Sequence, residues 1–219
     1  MIAEVKAWYF APDDMRLANG DNRPIVVGES LTVEGPLVLC EHGLHASRRA
    51  IDALGFATSN VVTRVLCCGD ILEAEDGDKL CCTERYTVAA ADAEQVLRAW
   101  SRWCALEVAH LWDMPDVVRQ YLETGDESIG DAARNALKDV AWDAVTAVAR
   151  DTAWCAVRAA CSASWATAKA TAREAAEATK WAVTIASGRA AAKAAARAAF
   201  IERANEKLEA MLLELLGCD

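Results

Sequence analysis

The run Leu80-Cys81-Cys82-Thr83-Glu84-Arg85-Tyr86-Thr87-Val88, followed past Asp92 by Val96, Trp100, Trp103, Cys104, Val108 and Leu111, contains the change of period that decides the fold. The first part is rich in β-branched, aromatic and thiol side chains and reads as a strand. The second part places its apolar residues at i, i+4, i+7, i+8, i+12 and i+15, which is one face of a helix. Upstream of the change the short-period pattern dominates. Ile2–Phe10 is aromatic and reads as a strand, and Asp13-Asp14 and Asn19–Asn22 are turn chemistry. Ile25–Val27, Leu31–Val33 and Leu37–Cys40 are short apolar runs broken by Gly28, Gly35 and Pro36, as in meandering strands. Ser47 is placed to cap a short helix over Arg48–Ala57, with Ile51, Leu54 and Phe56 about a turn apart. Val61–Cys68 and Leu80–Val88 are two further strands around an acidic loop.

Downstream, Asp113 and Pro115 open a helix that ends near Gly125, and Asp126–Ser128 offer caps for the next. No proline or glycine then occurs from Asp131 to Ser187, too long for one helix of a globular protein, so breaks are expected at Asp151-Thr152, Ser162–Ser164 and Gly188. A last helix runs from about Arg189 to Leu216 along the stripe Phe200, Ile201, Ala204, Leu208, Met211, Leu212 and Leu215, with Gly217 as its stop. Of the 47 alanines, 29 lie between Ala132 and Phe200. Trp142, Trp154, Trp165 and Trp181 recur among them as a weak repeat, small residues allowing close helix approach and each Trp filling the remaining gap. The fold class expected is an α+β domain over residues 1–90, followed by an all-α, alanine-rich helical bundle over residues 91–219.

Composition narrows the function classes. The 219 residues carry a net charge of −10, against nonspecific binding to nucleic-acid phosphates. The acidity belongs to the first two-thirds: residues 141–219 hold 9 acids and 10 bases. No uncharged apolar run is long enough for a membrane helix, and Glu4 and Lys6 stand where a signal peptide needs apolar residues. Nine cysteines, an odd number, suit a reducing cytosol that keeps them as thiols.

Three groupings could carry chemistry. Cys40, His42 and His45, with Cys67-Cys68 and Cys81-Cys82, hold zinc-ligand types, but the spacing C-x-H-x-x-H is not a ligand pair and adjacent strand cysteines face opposite ways. Buried thiols are the plainer reading, and no metal, cofactor or catalytic site is expected. His45, before Ser47 and a helix, suits a residue gripping a nucleotide in ADP-ribosyl transfer, with Glu84 or Arg85 facing it; it suits equally a histidine that anchors a loop. Phosphate loops, nucleophile elbows and basic aromatic tracks are missing. The third grouping is acidic. Glu73, Glu75, Asp76 and Asp78 crowd one loop together with Asp70 and Glu84. Asp113, Asp116, Glu123, Asp126, Glu127 and Asp131 surround a single Arg119, and positions 113, 116, 120, 123 and 127 share one helix face. Carboxylates a turn apart repel, so such a row serves either solubility or a basic partner.

Lys6-Ala7-Trp8, Asn19-Gly20 and Cys40-Glu41-His42-Gly43-Leu44-His45-Ala46-Ser47 resemble a recurring phage and prophage domain, and Ile51–Leu54, Arg64-Val65, Gly69-Asp70 and Asp78-Lys79 extend the likeness. In that family an Ala/Trp-rich helical tail often follows, as here, so the resemblance spans most of the chain. The chain is also similar to anti-CRISPR proteins directed at the type I-C interference complex. That resemblance implies a phage inhibitor of Cascade, with Cas proteins as partners, and it supplies no binding residues. Joined to the charge distribution, it predicts a monomeric, cytosolic DNA mimic that is not an enzyme. The acidic groups, above all the 113–131 face, would meet the partner.

Overall fold

The computed structural model describes residues 4–18, 21–137, 166–186 and 190–218. It is a mixed α/β chain: an N-terminal antiparallel sheet of five strands, then helices. Two compact units are present, Met1–Ala93 with Leu208–Asp219, and Glu94–Lys207.

The first unit contains β1 (Val5–Ala11), β2 (Ser30–Thr32), β3 (Leu44–Ala46), α1 (Ala50–Gly55), β4 (Val61–Glu73) and β5 (Leu80–Asp92). β4 and β5 form a long hairpin, β1 pairs with β4, and both β2 and β3 pair with β5, all antiparallel. Trp8 and Ser47 exchange both backbone hydrogen bonds, at 2.7 and 2.9 Å, so the residue after β3 returns to β1 and the path β1-β4-β5-β3 closes on itself. Ala7, Leu44, Ala46, Val65, Cys67, Leu80 and Cys82 are buried together inside this path. Each large aliphatic among them contributes roughly 1.5–3 kcal/mol by leaving water.

Several local expectations need correction. Ile25–Val27 and Leu37–Cys40 are not strands; Val38 and His42 instead bridge a tight turn, in which Cys40 takes a left-handed φ of 68°. β3 falls where no element is expected from the sequence, because Leu44, His45 and Ala46 are in register with Cys82, Cys81 and Leu80. Ser47 does not cap α1: its backbone pairs with Trp8 as an extension of the sheet, and the helix begins only at Ala50, with Arg49 at the cap position and no side-chain capping bond there. The N–H of Ala50 donates instead to Oε1 of Glu209, at 3.0 Å. The turn Asn19-Gly20 lies outside the described residues.

The second unit holds α2 (Glu94–Glu107), a 3-10 turn at Ala109–Leu111, α3 (Asp116–Thr124), a 3-10 turn at Glu127–Ile129, α4 (Gly130–Ala136), α5 (Ala166–Ala186) and, up to Lys207, α6 (Ala190–Leu216). The expected stripe of α2 is the face that packs: Trp100, Cys104 and Val108 are fully buried, and Trp103 stacks on Phe200 with ring centroids 6.5 Å apart. The indole N–H of Trp100 donates to the Ala204 carbonyl at 2.9 Å, and the Thr179 hydroxyl donates to the Cys104 carbonyl at 3.0 Å. Val118, Tyr121 and Leu122 turn the inner face of α3 into the core formed by Val108, Trp112, Met114 and Leu137. Gly125 closes α3 at a left-handed φ of 69°, its N–H returning to Tyr121. Trp142, Trp154 and Trp165, and the expected helix breaks, lie outside the described residues. Trp181 is described and does not fill a gap: it is 58% exposed on α5. Leu215, placed in the last stripe, is exposed too. Among the described residues no helix is long and apolar enough to cross a membrane.

Candidate functional site

The motif Cys40–Ser47 folds into one wall of a cavity of about 590 Å³ in the first unit. Left-handed Cys40 turns its backbone N–H onto Nε2 of His45, at 2.9 Å, so the ring accepts and the proton of the neutral imidazole sits on Nδ1. His42 is held apart by the Glu34 carbonyl at 2.9 Å. Gly43 bends the wall at a φ of 130°; a Cβ there would meet the Cys81 Cβ and Leu37 Cδ2, each at 3.0 Å. Gly43→Ala is expected to destabilise the protein by about 1–3 kcal/mol through strain and overlap, read as a lower urea midpoint at unchanged m-value.

Arg85 of β5 also lines the cavity, against this wall, and is only 1% exposed. Its Nη1 donates to the His45 backbone carbonyl, and its guanidinium carbon lies 4.0 Å from the centre of the Tyr9 ring. Among the described residues its Nε and Nη2 have no hydrogen-bond partner and no carboxylate pairs with it. Each such buried donor costs about 1–3 kcal/mol. Lys79 lies at the same cavity, its ammonium 5.0 Å from the centre of the exposed Phe56 ring.

Burial first, and the Arg85 charge second, hold the His45 imidazole below its ordinary value of 6.5. The unfolded chain therefore takes up this proton before the folded one does. His45 should cost no stability above pH of about 6.5, and stability should fall as pH drops from there towards the folded value. Urea melts between neutral and mildly acid pH check this, and His45→Gln should flatten that part of the profile.

The expected groupings fare differently. Of Glu84 and Arg85, the structure brings Arg85 to His45; Glu84 instead accepts from the Ser30 hydroxyl at 2.9 Å. Among the described residues no three His, Cys, Asp or Glu side chains are gathered to hold a metal ion. Cys67, Cys81 and Cys82 are buried thiols, and the hydrogen bond with Cys82, together with burial, pushes Cys67 well up. Tyr9 and Lys79 were not singled out from sequence. The available signal was Arg85 itself, a lone cation sharing its strand side with Cys81 and Thr87, both buried.

The acidic loop is a hairpin end. β4 runs on to Glu73, whose carboxylate pairs with Arg48 and is held below the usual range by it. Glu75 and Asp76 are exposed, while burial and the neighbouring Asp76 push Asp78 up. The 113–131 row needs a correction as well. Asp113 precedes α3, and Glu127 lies beyond Gly125 in the 3-10 turn, so only Asp116, Gln120 and Glu123 share the helix. Asp126 caps that turn, accepting the Ser128 N–H at 2.9 Å, which holds its carboxyl low. Asp131 pairs with Arg134 at 3.0 Å. All six carboxylates remain exposed.

The first unit is thus a small antiparallel sheet domain with a lined cavity. Over residues 10–99, less than half of its length, the chain is similar to a family described as a domain of unknown function (DUF7666). No curated protein matches the chain, and no solved structure does.

Proposed function

We propose that the protein is a phage inhibitor that binds the type I-C Cascade complex and keeps target DNA out by presenting carboxylates to a basic channel. The observation that carries this reading is the exposure of Asp113, Asp116, Glu123, Asp126, Glu127 and Asp131 together, with Val118, Tyr121 and Leu122 buried behind them. The resemblance to anti-CRISPR proteins supports the partner. In this reading the helical remainder is an all-α domain, the chain acts as a monomer in the host cytosol, and no step is catalysed. The break at Gly125 makes the acidic surface two short segments rather than one straight row, and a partner would read it as a patch.

Lys and Arg that hold DNA phosphates attract carboxylates equally, and the attraction weakens with salt. Asp116, Glu123 and Glu127 make no capping bond, so reversing all three to Lys should leave the melting temperature within a few degrees. The triple variant should lose competition with DNA for purified Cascade by at least about tenfold, which corresponds to about 1.4 kcal/mol. Undiminished competition, measured by DNA binding to the complex, would reduce the patch to a solubility feature.

The cavity favours a second reading, a nucleotide-modifying phage enzyme centred on His45, because Arg85 and His45 do meet there. The occupied Nε2 of His45 weighs against its use as a base. His45→Ala should fold and retain inhibition; loss of inhibition in a folded variant would favour the enzyme.

A further inference from the structure

We infer that the cavity beside Arg85 binds a small molecule through an oxyanion, a phosphate or carboxylate taken side-on by the Nε–Nη2 edge of the guanidinium. This is independent of the acidic surface and of any partner. The chain itself shows what that edge does when a carboxylate is near. Arg23 places Nε and Nη2 on the two oxygens of Asp21, at 2.6 and 2.7 Å. Arg48 places Nε and Nη2 on the two oxygens of Glu73. The same edge of Arg85 has no partner among the described residues, although Arg85 is 1% exposed and water cannot readily serve it.

Arg85 is also not free to turn away. Nη1 is fixed on the His45 carbonyl and the guanidinium is stacked on Tyr9, leaving the Nε–Nη2 edge as the unused fork, the one that matches two oxygens of a carboxylate or phosphate. The other charged groups lining the cavity do not cancel it. Asp21 is committed to Arg23, Glu41 is exposed, and Lys79 adds a second cation. A volume of about 590 Å³ exceeds what a lone phosphate fills and falls within the range of small-molecule pockets. Tyr9 and Phe56 supply aromatic surface for a flat body attached to the anion.

The test uses the full chain and four probes: inorganic phosphate, adenosine monophosphate, benzoate, and adenosine as the uncharged control. The Arg85 Nε–H resonance should move saturably with at least one anion, with a Kd below about 1 mM, and should stay still with adenosine. Saturation by the phosphates or by benzoate names the source of the oxyanion. Arg85→Lys, which keeps the charge and loses the fork, should weaken that binding about tenfold or more while the thermal melt stays cooperative. No saturable shift in the parent protein with any anion up to about 10 mM overturns the inference, as does equal binding by the folded Lys variant. Should the variant fail to fold, the shift in the parent protein alone decides.

Discussion

Trp100→Ala is expected to lower the unfolding free energy by about 3–5 kcal/mol, a large part of the stability of an ordinary domain. The side chain is fully buried on α2, and its indole N–H donates to the Ala204 carbonyl of α6 at 2.9 Å. Truncation therefore opens a buried cavity on α2 and removes the second hydrogen bond of the Ala204 carbonyl, which keeps its helical partner. Small residues cannot collapse far enough to refill an indole-sized space, because the alanine-rich helices already approach closely. Trp100→Phe keeps most of the volume and loses the hydrogen bond, so it should cost about 1–2 kcal/mol. Trp181→Ala is the control: 58% exposed, it should stay within about 0.5 kcal/mol. Urea unfolding followed by far-ultraviolet circular dichroism separates the three, and equal losses for Trp100 and Trp181 would refute the packing account.

That contrast also shows where the sequence could be read and where it could not. A buried helical stripe repeats locally, so Trp100, Cys104 and Val108 identify themselves by spacing alone. The hairpin of β4 and β5 is legible for the same reason, as is the end of α3 at Gly125, where a left-handed residue is needed. Features set by distant pairing were not legible. β3 has three residues and no period; only its register with Leu80–Cys82 makes it a strand. Ser47 looks like a cap until its backbone is seen bound to Trp8, and the acidic row looks continuous until Gly125 is given its φ. At the cavity, Arg85 could be named as a candidate facing His45. That its fork lacks a carboxylate among the described residues is a fact about every such neighbour at once, which spacing cannot supply.

A chain ending at Lys207 is expected to lose about 5 kcal/mol from the first unit, enough to unfold a marginal domain. Leu208–Asp219 belong to that unit, and Leu208 and Leu212 are both fully buried. Removing them forfeits roughly 1.5–3 kcal/mol each in transfer free energy. Glu209 adds a more specific loss. Its Oε1 accepts the Trp8 indole N–H at 3.2 Å and the Ala50 N–H at 3.0 Å. Trp8 is 1% exposed, so its donor cannot turn to water. Ala50 opens α1, a helix whose own cap residue Arg49 supplies no side-chain capping bond, so the carboxylate takes over a duty normally met within a few residues. Glu209→Gln keeps an acceptor and should cost under about 1 kcal/mol, whereas Glu209→Ala should cost about 1–3 kcal/mol. Hydrogen exchange at Ala50 and at the Trp8 indole would report both. If the shortened chain keeps the protection of Trp8 and Ala50 unchanged, Glu209 is not what satisfies them.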